Sequence, residues 1–373
     1  MNLREAYNEV LASARAGNAV LVESPSGLGK SQMGLRVYKQ TIADNPGKTV
    51  GLGIIFAATQ TPPDLIGFQF KGEKEIGGRK ITVTDPSVSL WFISTEGKPA
   101  YMYDIFVLII EEYGQGEADV KRAIAEIFLN GGTPPWYLPE GSIRIAFTNK
   151  GTRYGVTKDF DFCIARRTLL KVTGDVEVWL SDFADKPYEY QGKQWQVMPV
   201  TKAWAAIHPE IMFEAEPKEQ GPWCNPRTAT AADRYLQVKM AMNNGVIPTD
   251  LHTIESLAGT IGMPATQSLV NHIEFRTQLP SYADVCADPR NCPVPSRPDL
   301  LMLMAYELAG WCQKDKLAEC ITYIQRMPTK DMAVTFVSSL LRRDYAGFIN
   351  EPPMQAWINK NAALVSVIAS LSH

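Results

Sequence analysis

The strongest chemical signal in the chain is Ser24-Pro25-Ser26-Gly27-Leu28-Gly29-Lys30-Ser31. These residues match the phosphate-loop pattern G-x-x-x-x-G-K-[ST] at Gly29, Lys30 and Ser31. Gly27 is a further flexible point, and Ser24 stands in place of the first glycine. Backbone N–H groups of such a loop, with the start of the following helix, form a nest for phosphate oxygens. Ser26, Gly27, Leu28, Gly29, Lys30, Ser31 and Gln32 are therefore the candidate nucleotide-binding residues. Lys30 is placed to reach the β- and γ-phosphates, and the Ser31 hydroxyl to bind Mg²⁺. The plainer alternative is a Ser- and Gly-rich helix cap with no ligand. It loses weight because an apolar strand (residues 19–23) leads into the loop and a helix (residues 32–43) leaves it.

A second signal is the apolar run of residues 105–110, which ends in Glu111-Glu112. A strand buried on both faces of a parallel sheet reads this way, and its carboxyl end is where open α/β sheets bind ligands. Glu111 occupies the metal position, one methylene longer than the usual Asp, and Glu112 the water-activating position. Two exposed carboxylates at a strand end are the alternative. Asn149, directly after a strand over residues 143–148, could position the attacking water, although Asn is also a common turn residue. Arg166, just before the last strand, and Arg227, opening a later helix, complete the set. An arginine at the γ-phosphate stabilises transition-state charge and can come from a neighbouring subunit, and one in a lid can sense the nucleotide. For each the alternative is a solvated or structural arginine.

Strands at residues 19–23, 50–57, 105–110, 143–148 and 169–172, alternating with helices, predict a parallel α/β sheet through about residue 175. Residues 71–84 read as a polar hairpin turning at Gly77-Gly78. Beyond residue 175 the spacing predicts helices over 176–184, 200–213, 231–243, 299–313, 317–325, 329–343 and 353–372, with a proline-fixed connector over 287–295.

The chain has 373 residues, enough for two or three domains and for a core that needs no staples. Hydrophobic residues are 45% and charged residues 21%, which excludes disorder as the main state. The net charge of -3 argues against a generic nucleic-acid-coating role and leaves room for a local basic patch. No apolar run approaches the ~20 residues of a membrane span. The first residues also lack a signal-peptide core, so a cytoplasmic protein is expected. Six Cys without C-x-x-C spacing read as reduced thiols, and four His with no ligand-spaced pair argue against His-based metal catalysis.

The ordered set of motifs resembles the AAA+ ATPases, and within them the MoxR-like, dynein-related branch of bacterial and phage type; the resemblance spans nearly the whole chain. Residues 24–31 look like its Walker A, and Pro63-Asp64-Leu65-Ile66-Gly67 like its D-L-x-G segment. Residues 107–112 look like Walker B, with Glu111 departing from Asp, and residues 138–149 like the hairpin and sensor 1 strand ending at Asn149. Ala165-Arg166-Arg167 falls at the arginine finger, with Arg166 the match and Arg167 the runner-up. Pro226-Arg227-Thr228 matches sensor 2. Ala258-Gly259-Thr260-Ile261-Gly262, Leu279-Pro280 and residues 323–328 resemble the helical C-terminal part.

The resemblance implies an α/β P-loop NTPase sheet domain (residues 1–175), an α-helical lid bearing sensor 2 (176–298) and a helical C-terminal extension (299–373). It implies an ATPase that uses ATP and Mg²⁺ at the subunit interfaces of a homo-oligomeric ring, often a hexamer, to remodel or assemble a protein client. Such proteins often work with a von Willebrand factor A partner. The hairpins 71–84 and 131–137 would then face a pore or client, with Trp136 and Tyr137 offered for contact or, equally, Trp136 packed in the core. Membrane and nucleic acid are not expected partners. The rival readings are a weakly hydrolysing nucleotide-binding assembly subunit, favoured by Glu111 and Ser24, a nucleic-acid-associated motor or loader, and a P-loop kinase.

Overall fold

The structure, a computed structural model, describes residues 1–150, 155–213 and 221–361. The chain divides into two compact units, Met1–Gly174 and Asp175–His373.

The first unit is an α/β sheet domain. Helix α1 (Leu3–Arg15) starts at an Asn2/Glu5 capping box, in which each side chain accepts from the other residue's backbone N–H. Strand β1 (Val20–Ser24) leads through the glycine loop into α2 (Lys30–Asp44). Next come β2 (Val50–Phe56), the short α3 (Pro62–Ile66) and a hairpin of β3 (Gln69–Ile76) and β4 (Arg79–Pro86). They are followed by β5 (Ile105–Glu111), α4 (Ala118–Asn130), and the two-residue strands β6 (Gly132–Thr133) and β7 (Trp136–Tyr137). The unit ends with β8 (Ile143–Asn149), α5 (Asp161–Ile164) and β9 (Thr168–Lys171).

Five strands form one parallel sheet in the order β2-β5-β8-β1-β9. All of Ile105–Ile110 in β5 is buried, as a strand covered on both faces must be. Phe106, Leu108 and Ile110 pack with Ile124, Ile127 and Phe128 of α4 on one face. Val107 and Ile109 pack with Val10 of α1 and Met33 and Val37 of α2 on the other. Helix α2 approaches the sheet at Gly34, where a Cβ would lie 2.8 Å from Ile109 Cδ1 and 3.0 Å from Phe147 Cε2.

The hairpin β3–β4 departs from its polar expectation. Phe70, Ile76 and Ile81 share one face by register and are exposed, so the hairpin is amphipathic. Within Pro63–Gly67, the Leu65 carbonyl accepts from Trp91 Nε1 at 2.7 Å and Ser89 Oγ at 3.0 Å. A Cβ on Gly67 would sit 2.3 Å from the Ser87 carbonyl. Trp136 is half-buried against the Phe92 ring at 5.6 Å and donates to the Ser87 carbonyl, whereas Tyr137 is exposed.

The second unit is helical. Helix α6 (Val176–Trp179) runs into a wide turn over Leu180–Ala184, then a small hairpin of β10 (Tyr188–Tyr190) and β11 (Lys193–Trp195). The helices that follow are α7 (Pro199–Ile207), α8 (Pro209–Phe213), α9 (Pro226–Met242), α10 (Leu251–Ile261), α11 (Met263–Phe275) and α12 (Tyr282–Ala287). The last are α13 (Pro298–Trp311), α14 (Leu317–Ile324), α15 (Lys330–Arg343), α16 (Tyr345–Phe348) and α17 (Pro352–Lys360).

Here the expectations need correction. The helix expected over 200–213 is broken at His208, because Pro209 cannot continue it. Helices α10, α11 and α12 and the 188–195 hairpin were not anticipated. Thr253, Thr266 and His272 occupy buried positions and blur the apolar period. The hairpin strands have three residues each, around a Gln191-Gly192 turn in which both φ angles are positive. Of the helix expected over 353–372, residues 362–372 lie outside the described residues.

Two cores fill the second unit, and α13 serves both. Leu303 and Tyr306 join the one built around Trp204, and Leu301, Met304 and Leu308 the one built around Tyr323 and Phe336. Buried charge is neutralised locally. Asp185 accepts from Lys202 Nζ at 3.0 Å, Ser339 Oγ at 2.6 Å and Arg342 Nη1 at 3.1 Å. The six cysteines are all free, and among the described residues no helix is long and apolar enough to cross a membrane.

Two stability predictions follow from this packing. Gly34→Ala should cost about 1–3 kcal/mol in urea unfolding, because Ile109 and Phe147 must shift to admit the methyl. Asp233 is buried, and burial drives its carboxyl up to about 6 against hydrogen bonds from Thr201, Gln237 and the Met198 N–H. A folded-state value above the unfolded one means that this group contributes most at low pH. That contribution is lost as pH rises through the window up to about 6. The stability of the wild type relative to Asp233→Asn should therefore fall by about 2–3 kcal/mol between pH 4 and pH 7. A difference that does not vary with pH would contradict the assignment.

Candidate nucleotide-binding site

Strand β1 stops at Ser24, and the chain turns through Pro25 to Gly29 before α2 begins. Gly27 and Gly29 take φ of 81° and 96°, a region that glycine enters without a Cβ penalty. Helix α2 starts with no side-chain cap and no acidic residue in its first turn. A helix of 15 residues thus presents its first-turn N–H groups and positive dipole end to the loop, where an anion is favoured. The Lys30 and Ser31 side chains rise from that same turn, and Ser31 is exposed.

The Lys30 ammonium lies among oxygens of the loop and of β8. It donates to Asn149 Oδ1 at 2.9 Å, Ser24 Oγ at 3.0 Å, the Pro25 carbonyl at 3.0 Å and the Ser24 carbonyl at 3.3 Å. Two of these contacts follow from sheet order. Strand β8 lies beside β1 with Asn149 level with Ser24, so the last residues of both strands meet at the loop. Ser24, the departure from the glycine pattern, takes part through its hydroxyl, which also donates to the Pro25 carbonyl at 2.8 Å.

Strand β5 flanks β8 on its other side, with Ile110 level with Ala146. Its carboxyl end, carrying Glu111 and Glu112, therefore opens on the same edge as the loop, two strand spacings or ~10 Å across from β1. Glu111 is half-buried and Glu112 exposed. Glu112 has φ 53° and ψ 33°, a left-handed conformation that costs a non-glycine residue about 1–2 kcal/mol. The turn after it presses on the end of β8: a Cβ on Gly114 would lie 2.1 Å from Thr148 Oγ1. The backbone thus turns at Glu112 to leave the sheet over Thr148.

The two adjacent arginines have different surroundings. Arg167 has only 4% of its side chain exposed. It ion-pairs with Asp159, donates to Tyr113 Oη at 2.6 Å and lies 4.9 Å over the Tyr113 ring. Lys121, also buried, reaches Asp159 Oδ1 at 3.0 Å and the Thr157 carbonyl at 2.8 Å. Burial raises the Asp159 carboxyl, but the Arg167 guanidinium and the Lys121 ammonium outweigh it and hold the group below the usual carboxylate range. Burial pushes the Tyr113 hydroxyl up. Arg166 instead has 23% of its side chain exposed, donates to Glu126 Oε1 at 2.5 Å and stacks 5.3 Å over Phe162. Phe162 stacks in turn on Phe160 at 5.7 Å, and both rings are exposed, as is Ile164. Tyr113, Lys121 and Asp159 went unnoticed in the sequence, where no spacing links them. Arg227 lies in the second unit, exposed in the first turn of α9, where the Asn225 side chain caps the helix.

The residues present suit a magnesium ion that arrives with a nucleotide. Mg²⁺ keeps several waters and binds one or two protein oxygens beside the phosphates, a demand that the Ser31 hydroxyl and Glu111 carboxylate can meet. Among the described residues no group of three or more His, Cys, Asp or Glu forms a dedicated metal cage.

No family model and no curated protein matches the chain. Similar solved structures include NtrX from Brucella abortus in complex with ATP (14% identical, TM-score 0.35, covering 90% of this chain and 67% of that one). The Orc1 protein of Aeropyrum pernix in complex with DNA is 13% identical, with a TM-score of 0.38, covering 100% of this chain and 84% of the other. A DNA polymerase III gamma subunit-related protein from Thermotoga maritima is 11% identical, with a TM-score of 0.32 and 99% coverage of both chains. Likeness at this level leaves function to the chain's own residues.

The contrast between the arginines is measurable. Removing Arg167 leaves Asp159 with Lys121 as its one remaining cation in a buried cluster, so Arg167→Ala should cost about 3 kcal/mol in denaturant unfolding. Arg166→Ala removes a partly exposed pair and should cost about 1 kcal/mol or less.

Proposed function

We propose that the chain is an AAA+ ATPase of the MoxR-like branch that binds ATP and Mg²⁺ on residues 24–32 and hydrolyses the nucleotide to ADP and phosphate. The observation that carries this reading is the meeting of Lys30 Nζ and Asn149 Oδ1 at 2.9 Å on a glycine loop, at the sheet edge where Glu111 and Glu112 end the neighbouring strand.

In this reading the first-turn N–H groups of α2 and Lys30 hold the phosphates, and Lys30 exchanges loop oxygens for phosphate oxygens. Ser31 and Glu111 hold the ion, which supplies charge neutralisation when bound. Glu112 takes a proton from water as its oxygen bonds to the γ-phosphorus. The bond from that phosphorus to the bridging oxygen breaks, and its electron pair leaves with ADP. Asn149 orients the water. Arg166 leaves Glu126 and acts on nucleotide held by a neighbouring copy in a homo-oligomeric ring. The exposed Phe162 beneath it, stacked on exposed Phe160, supports a contact surface there, and buried Arg167 is the weaker candidate. Arg227 is proposed as the nucleotide-sensing arginine of a lid over 176–298, with 299–373 as its extension. The work of the cycle is remodelling or assembly of a protein client.

Calorimetric titration and phosphate release test this directly. Lys30→Ala should weaken ATP binding by about 100-fold, the worth of a charge-assisted phosphate contact. Glu112→Gln should keep affinity and lose about 10²–10⁴ in turnover. Arg166→Ala should likewise bind and not turn over, and native mass measurement with an ATP analogue and Mg²⁺ should find an oligomer. Unchanged ATP affinity in Lys30→Ala overturns the site. Wild-type binding without turnover makes the chain an assembly subunit instead of an ATPase.

A further inference from the structure

The second unit carries a cleft that ATP hydrolysis does not use. Hairpin β10–β11 and helix α9 border a cavity of about 290 Å³. Tyr190, Lys193 and Trp195 line it from the hairpin, and Arg234, Tyr235 and Val238 from the helix. The sorting of residues follows from strand register. Tyr188 pairs with Trp195 and Tyr190 with Lys193, so these four share one face of the hairpin. Glu189 pairs with Gln194 on the other face, which turns the hairpin's acidic side chain away from its basic and aromatic ones. On α9, Asp233 is buried and bonded to Thr201, so its charge does not enter the cleft either. Among the described residues no acidic side chain lines the cavity.

Arg234 is already placed as an aromatic-backed cation. Its guanidinium carbon lies 3.9 Å from the Tyr190 ring centroid, and its Nη1 donates to Tyr188 Oη at 3.3 Å. Gln191, which also lines the cavity, sits at the hairpin turn with φ 51°. Rings, two cations and an amide narrow the ligand class. A cationic ligand would be repelled. An apolar peptide would strip water from Lys193 and Arg234 without replacing it. Inorganic phosphate would leave the rings unused. A planar heterocycle joined to a phosphate uses all three: stacking on the rings, charge on Lys193 and Arg234, and a base edge for the Gln191 amide. The volume lies at the small end of ligand sites, enough for one such unit.

We propose that the cleft between β10–β11 and α9 binds one nucleotide unit, its base on Tyr190, Trp195 and Tyr235 and its phosphate on Lys193 and Arg234. A free mononucleotide and a residue of a single-stranded nucleic acid share this chemistry. The overall charge of -3 does not oppose a patch this local.

The test uses the full chain. Fluorescence anisotropy of a labelled dT 10-mer should show binding that Tyr190→Ala/Lys193→Ala weakens by at least 10-fold, while ATP affinity at the Lys30 site stays as in the wild type. The slope of log affinity against log salt should be about -1.4, as two cations on a single strand require. Competition by dTMP is read in Lys30→Ala protein, so that the first site does not contribute. Displacement assigns a free mononucleotide as sufficient, and failure to displace assigns a strand. The proposal is overturned if neither ligand binds, if the double variant binds the 10-mer as the wild type does, or if a labelled phosphotyrosine peptide binds more tightly with the same sensitivity to the double variant. None of these outcomes bears on nucleotide binding at Lys30, so the two sites stand or fall separately.

Discussion

Three parallel strands that end on one edge hold this molecule's chemistry together. Because β1 lies between β8 and β9, and β8 between β1 and β5, the last residues of β1, β8 and β5 open side by side. The Lys30 ammonium gathers two of those ends, with Ser24 on one and Asn149 on the other. These contacts hold the ammonium at the loop, between the ends of β1 and β8. The same contacts explain why a serine is accepted at the loop's first position: its hydroxyl joins the acceptors around Lys30, a contact that glycine cannot make.

The sheet edge is only as well placed as its supports. Gly34 brings α2 against Ile109 and Phe147, and Gly114 brings the turn after Glu112 against Thr148. Both are close approaches that a methyl group would oppose. Beyond them lies the polar cluster of Tyr113, Lys121, Asp159 and Arg167, which fixes the chain leading up to β9 against α4. One acid and two cations are buried together, where the acid pairs with both cations and the Tyr113 ring lies under each of them. Arg167 spends its charge inside, which leaves Arg166, on the adjacent residue, as the arginine facing outward.

The helical unit solves a different problem. Its two cores share α13, whose buried residues lie all round the helix and not on one stripe. The unit's buried acids have local partners, Asp233 with Thr201 and Gln237, and Asp185 with Lys202, Ser339 and Arg342. The hairpin of residues 188–195 lies against α9, and its register alone decides that aromatic and basic side chains share a face.

The sequence by itself determined the sheet order's raw material. A glycine loop between a strand and a helix, a six-residue apolar run ending in Glu111-Glu112, and strands alternating with helices to about residue 175 are local signals, because period and turn chemistry act within a few residues. It also marked Lys30, Glu111, Glu112 and Asn149 as the ends of separate elements. Only the tertiary structure decided that Asn149 reaches Lys30, since strand order is set by pairing among residues more than a hundred apart. It alone separated Arg166 from Arg167, because burial belongs to a position in the packed domain and not to a residue type. Helices α10 and α11 escaped for the converse reason: Thr253, Thr266 and His272 are polar in sequence and become core only when neighbouring helices enclose them.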